Sequence, residues 1–288
     1  MIKLIATDLD GTLLNKNHQI GWENLKALRY ARSKGVTLAI ASGRAFFDIQ
    51  HLIDEVDIEA HIIGTNGATI HTREGQLLGA DYLNREEALE IISELTAKAY
   101  YIGVTTEKNI FVPSEGVSWL NEELARLGKH EDRAVGFQEA IKRDFYRFFD
   151  SVDEIKDKGG EIRKIIVFSF DDQKLADARA IYERQHRYSI VSSGAGNFEI
   201  MARNVSKGNA LDHLANYLGI PLENVMAIGD NYNDLSMFAV AGLSVAMGNA
   251  NSDIKEKCDR VTGDCQDDGV AQAIYEALGV RDQTSDRH

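Results

Sequence analysis

Two aspartates stand two residues apart, Asp8 and Asp10, where the apolar run IKLIAT ends and the chain reaches Gly11. In extended backbone, residues i and i+2 project to one face, so the two carboxylates converge at the carboxyl end of a strand. Two carboxylates that close repel each other unless a cation lies between them or one is protonated. Mg²⁺ suits that position, because it takes hard oxygen ligands: one or two carboxylates, water and a substrate phosphate. Taken alone, DLDGT reads equally well as an Asp-rich turn, since Asp and Gly populate turns anyway.

Three further segments carry chemistry of the same kind. LAIASGRAF places Ser42-Gly43-Arg44 after an apolar run, and a hydroxyl with backbone N–H groups ahead of a helix can hold a phosphate. The same three residues also make an ordinary helix start. NVSKGNAL puts Lys207 in the first turn of a helix, where a solvated surface charge is the common alternative. MAIGDNYNDLSMF ends another apolar run with Gly229-Asp230 and follows it with Asn233-Asp234. Further carboxylates at a strand's carboxyl end are harder to ascribe to turn composition.

The elements that must position these residues alternate along the chain. Strands are predicted at residues 2–7, 36–41 and 61–65, and helices at 21–34 and 45–56. The rhythm resumes with a helix at 206–218, a strand at 225–228, a helix at 232–240, a strand at 243–247 and a closing helix at 267–278. Gly219 and Pro221 stop the first of those helices. Strand and helix in alternation imply α/β architecture, a doubly wound parallel sheet with helices on both faces. Between these two halves the pattern changes, with helices at 85–99, 115–128 and 172–185 and strands near 101–106 and 163–170. The expected organisation is a core of residues 1–82 and 191–288 around an inserted α/β lobe of residues 83–190.

Composition narrows the function. At 288 residues the chain exceeds the roughly 250 at which single cores stop growing. A formal charge of −13 argues against a nucleic-acid groove, so an anionic substrate needs local help from a metal or a lysine. No apolar run approaches 18 residues and no basic stretch precedes an apolar signal core, which points to a cytoplasmic protein with no membrane partner. Cys258 and Cys265 are too few for a disulfide framework or a zinc site. The eight histidines, His130 and His288 among them, show no paired ligand spacing.

In order and spacing, DLDGTLL, ASGR, SKGNAL and GDNYNDLSM resemble the four motifs of the haloacid dehalogenase superfamily, specifically its Cof-type phosphatases. NGA at 66–68, VAMGNA at 245–250 and the closing DDGVAQAI agree with it. The resemblance implies a Rossmann-like core carrying a large α/β cap between the second and third motifs. It implies that Asp8 is the nucleophile that takes the phosphoryl group, and Asp10 the general acid that protonates the leaving oxygen. Asp8, the backbone carbonyl of Asp10 and Asp230 would hold Mg²⁺, with Asp234 supporting. The backbone at Leu9 and Gly43, with Ser42, Lys207 and Asn233, would grip the phosphate, and Arg44, Asn66 and Gly67 would stand near the leaving group. MARNVSKG departs from the Pro-basic-Gly usual in such chains ahead of SKG.

The chemistry calls for such parts independently. A carboxylate attacking a phosphate dianion meets like charge, which a dication and a lysine must neutralise. A second carboxylate can give a proton to the leaving alkoxide and then activate water, two tasks that a lone aspartate cannot combine. The expected activity is hydrolysis of small phosphorylated metabolites such as sugar or cofactor phosphates. A phosphotransferase of the sugar phosphomutase kind is the nearer alternative and a phospho-acceptor signalling module the more distant one. A receiver-like module is far shorter and carries its acceptor aspartate on a later strand than its acidic pair.

Overall fold

The computed structural model describes residues 1–129, 135–194 and 196–280; His130 and His288 lie outside them. It divides into two compact units, one of Met1–Ala80 with Ser206–His288, the other Asp81–Val205.

The first unit opens with β1 (Leu4–Thr7), α1 (Trp22–Ser33), β2 (Thr37–Ala41), α2 (Phe46–Asp54), β3 (His61–Gly64), β4 (Thr69–His71) and β5 (Leu77–Ala80). In the second unit follow α3 (Arg85–Ala97), β6 (Tyr101–Thr105), β7 (Ile110–Pro113), α4 (Gly116–Arg126), α5 (Val135–Ala140), β8 (Tyr146–Phe149), α6 (Val152–Lys158), β9 (Lys164–Phe168), α7 (Asp172–Glu183), β10 (Tyr188–Val191) and β11 (Asn197–Ala202). The chain then completes the first unit with α8 (Lys207–Tyr217), β12 (Val225–Gly229), α9 (Leu235–Val240), β13 (Leu243–Ala246), α10 (Ser252–Lys255), β14 (Arg260–Val261) and α11 (Gly269–Ala277).

Eight strands of the first unit make one sheet in the order β14-β13-β12-β1-β2-β3-β4-β5. It is parallel from β14 to β3, and β4 and β5 extend it as an antiparallel hairpin. That hairpin is an addition to the expected architecture, and its short strands carry too little pattern to stand out in sequence. All four residues of β1 are buried, as a strand covered on both faces requires. Ile5 faces one core with Leu38, Ile40 and Ile62, while Leu4 and Ala6 face another with Ala39, Ile63, Leu211 and Leu214. The period of two thus loads both faces of the sheet. Register then sets the site: Thr7 pairs with Ile228 on one side and with Ile40 on the other. Asp8 and Asp230 therefore leave the sheet at the same carboxyl edge, one strand apart, with Ser42 on the opposite neighbour.

The second unit has its own sheet, in the order β10-β11-β9-β6-β7-β8. Its strands pair antiparallel except β7 with β8. Ile102, Val104, Ile165, Val167, Phe198 and Ile200 pack on one face against Ile91, Ile92 and Leu95 of α3 and Tyr182 of α7. Residues 191–205, expected in the core, belong here instead, because β11 hydrogen-bonds along the whole of β9. Cys258 and Cys265 are free thiols. Among the described residues no helix is long and apolar enough to cross a membrane.

Candidate active site

Asp8 follows β1 directly, and its N–H continues the ladder by donating to the Ile228 carbonyl at 2.9 Å. The next turn depends on Gly11, at φ 81°, where an added Cβ would lie 2.5 Å from Asp230 Oδ2. A glycine is required both for the left-handed backbone and for the close approach. Thr12, one residue on, donates its hydroxyl to Asp230 Oδ1 at 2.8 Å, tying the first strand's loop to the twelfth's.

Lys207 is the fully buried centre of the cluster. Ser206 caps α8 by accepting the Asn209 N–H at 3.1 Å, so that the helix begins at the lysine. Its ammonium donates to Asp8 Oδ1 at 2.7 Å and to Asp234 Oδ1 at 2.6 Å, and none of the side chain is exposed. Asp234 Oδ2 accepts the N–H groups of Asp230 and Asn231, each at 3.0 Å. Both of its oxygens are thereby engaged. Asp8, Asp230 and Asp234 each offer an oxygen within 4.8 Å of the others.

Crowding of like charge marks the electrostatics. Burial, with Asp234 and Asp230 adding repulsion, holds the Asp8 carboxyl well above the usual range even though Lys207 pulls it down. Burial and the charge of Asp234 push Asp230 up to about 6, against the Thr12 hydrogen bond. For Lys207, burial disfavours the ammonium, but Asp234 and Asp8 outweigh it and hold the group above its ordinary value. One buried cation among three carboxylates leaves the cluster short of positive charge. The donor set consists of hard carboxylate oxygens, which is the chemistry Mg²⁺ prefers.

Asp10 goes elsewhere. Arg44 Nε and a terminal nitrogen donate to its two oxygens at 2.8 and 2.6 Å, a paired geometry that Asp48 backs at 3.5 Å. Burial would raise the Asp10 carboxyl, but the hydrogen bonds and charge of Arg44 overcome it and hold it below the usual range. Its carboxylate is thus not part of the triad. Ser42 is buried, and its hydroxyl accepts the Arg44 N–H at 3.2 Å. Asn233 gives an amide proton to Asn66 Oδ1 at 3.0 Å. The Leu9 side chain is buried in the core, and its carbonyl accepts from Thr12 and Leu14.

A sequence model described as haloacid dehalogenase-like hydrolase matches residues 5–274. The chain belongs to that family. Phosphatase YwpJ of Bacillus subtilis strain 168 is 39% identical over 285 residues, covering 96% of this chain and 100% of that protein. The 5-amino-6-(5-phospho-D-ribitylamino)uracil phosphatase YwtE of the same organism is 36% identical, over 96% of this chain and 98% of its own. A solved haloacid dehalogenase-like hydrolase from B. subtilis superposes with a TM-score of 0.84 at 37% identity, covering 95% of this chain and 99% of that one. With full-length relatives of these names, this haloacid dehalogenase-like hydrolase is an enzyme of the phosphatase class.

The fold of this hydrolase therefore gathers buried Asp8, Asp234 and Lys207 with half-buried Asp230 into one cluster and sets Asp10 on Arg44 beside it. Two further residues, outside the candidate set, join the site. Thr12, inside DLDGT, holds Asp230, and Asn249 donates to the Gly11 carbonyl at 2.8 Å. Asn249 lies within VAMGNA, and that motif is its mark in the sequence.

Proposed function

We propose that this chain is a cytoplasmic, Mg²⁺-dependent phosphatase of small phosphorylated metabolites that works through an aspartyl phosphate on Asp8. The observation that carries the reading is the buried lysine shared by two carboxylates beside a third, short of positive charge. Asp8 and Asp230 would hold the metal with the Asp10 carbonyl, while Asp234, both oxygens engaged, supports from behind. Mg²⁺, when bound, would neutralise charge on the phosphoryl group and on the attacking carboxylate.

Each remaining task falls to a side chain. An Asp8 oxygen attacks phosphorus as the bond to the leaving oxygen breaks, and Asp10 gives that oxygen its proton. Asp10 then takes a proton from water, the water oxygen attacks phosphorus, and phosphate leaves as the Asp8 carboxylate is regenerated. Lys207 balances charge on both sides of the transfer, and Ser42, Asn233 and backbone at Leu9 and Gly43 bind phosphate oxygens. Asp10 must give up its contact with Arg44 to carry a proton, so Arg44 is placed to respond to a substrate anion. The name of the relative YwtE supports a phosphorylated ribityl compound as one substrate to try.

The test is release of inorganic phosphate from a panel of phosphomonoesters, with and without chelator. Turnover should vanish with chelator, return with Mg²⁺ and be absent in Asp8→Asn. Equal rates in chelator, or an active Asp8→Asn protein, overturn the scheme.

A further inference from the structure

Three segments of the site meet on one turn. After β3 the backbone carries Thr65, Asn66 and Gly67 at φ of 53°, 56° and 102°. A β-branched residue such as Thr65 adopts this left-handed region only under constraint, because its Cβ crowds the neighbouring carbonyl. The constraint comes from the second motif: the Thr65 N–H donates to the Arg44 carbonyl at 2.7 Å and the Asn66 N–H to the Ser42 carbonyl at 2.9 Å. Both side chains are buried.

The other side of the turn reaches the third and fourth motifs. Asn66 Oδ1 accepts Asn233 Nδ2 at 3.0 Å. A Cβ built on Gly67 would lie 2.2 Å from the carbonyl oxygen of Ser206, so the turn's backbone rests directly on the residue that starts α8 and precedes Lys207. A Cβ on Gly43 would stand 3.2 Å from Asn66 Oδ1, which closes the circuit back to the Ser42 loop. Strained backbone persists where its surroundings over-determine it, and here the surroundings are three motif segments.

We propose that the turn Thr65–Gly67 is a positioning element: it sets Asn233 and the start of α8, hence Lys207, against the Ser42-Gly43 loop. Asn66 and Gly67 then act through their neighbours rather than by touching the leaving group. The kinetic part rests on the phosphatase reading above. A misplacement of about 1 Å among groups that bind a reacting phosphoryl can cost on the order of 100-fold in rate.

Asn66→Gly isolates the effect, because glycine keeps the left-handed backbone and removes only the amide. Turnover of a nitrophenyl phosphate is measured for the parent, Asn66→Gly, Asn233→Ala and the double variant. Asn66→Gly should lower kcat by about 10- to 100-fold, with KM within about threefold of the parent. The double variant should be no worse than Asn233→Ala alone, because the first residue acts through the second. A parental kcat, a raised KM at constant kcat, or losses that multiply would each overturn the inference. The side-chain amide NMR signal of Asn233, assigned by its loss in Asn233→Ala, gives a readout independent of turnover. It should shift in Asn66→Gly, and an unmoved signal overturns the positioning role even if every protein is inactive. Absence of turnover in the parent counts against the phosphatase reading alone.

Discussion

Each unit of this molecule buries a lysine against a carboxylate, and the two sites differ in what else is gathered there. In the second unit, Lys164 meets Glu199 at 3.0 Å, and Glu199 also accepts the Ser193 hydroxyl at 2.5 Å. There a buried cation stands directly against a buried carboxylate. In the first unit, Lys207 faces Asp8 and Asp234 with Asp230 beside them. Here three carboxylates gather at one lysine, the Asp8 and Asp230 carboxyls are held above the usual range, and the three offer oxygens that a dication could share. On the function proposed above, the second unit's pair belongs to the fold, and the first unit's cluster is arranged for chemistry at a cost in stability.

The largest effect that could break this contrast is on turnover. Asp8→Asn should reduce phosphate release by at least about 10⁴-fold, since an amide cannot replace the nucleophile. The metal-free variant should nevertheless melt no lower than the parent. Asp8 has a carboxyl raised in the folded state, so its ionised form opposes folding as pH rises past the unfolded value, and at neutral pH the substitution removes that opposition. A lower melting temperature would mean that the cluster is structural.

The converse substitution comes next. Glu199→Gln takes the Glu199 charge away from buried Lys164 and should cost about 3 to 5 kcal/mol in urea denaturation. An unchanged midpoint would show that the second unit's pair contributes nothing. Mg²⁺ sharpens the comparison further: at about 100 times its dissociation constant it should stabilise the parent by about 2.7 kcal/mol. Calorimetry should find that gain abolished in Asp230→Asn and kept in Glu199→Gln. The smallest expected effect belongs to Thr12→Val, which removes the hydroxyl bound to Asp230 Oδ1 and should cost about 1.5 kcal/mol in the same denaturation assay. A neutral result would take Thr12 out of the site.

The sequence exposed the core more fully than the second unit. β1 is a continuous apolar run ending in DLDGT, and α8 carries its stop signals at Gly219 and Pro221. Both are local patterns. β10 is only half-buried along its length, and the membership of residues 191–205 depends on β11 pairing with β9, some thirty residues earlier. Antiparallel partners of this kind are chosen by long-range hydrogen bonds, on which single-strand periodicity is silent.

By itself the sequence determined which residues carry oxygen and charge at strand ends, since residue type and a period of two are written locally. Asp8 and Asp10 are adjacent at the end of one strand in any doubly wound arrangement of this chain. Only the tertiary structure decided that they part company there. Asp8 turns to a lysine 199 residues away and Asp10 to an arginine 34 residues away. It likewise decided that Thr12 reaches Asp230 and that Asn66 holds Asn233. Which neighbour a carboxylate takes is set by parallel register and by where glycines let backbones touch. Those are properties of strands brought together, and no single segment contains them.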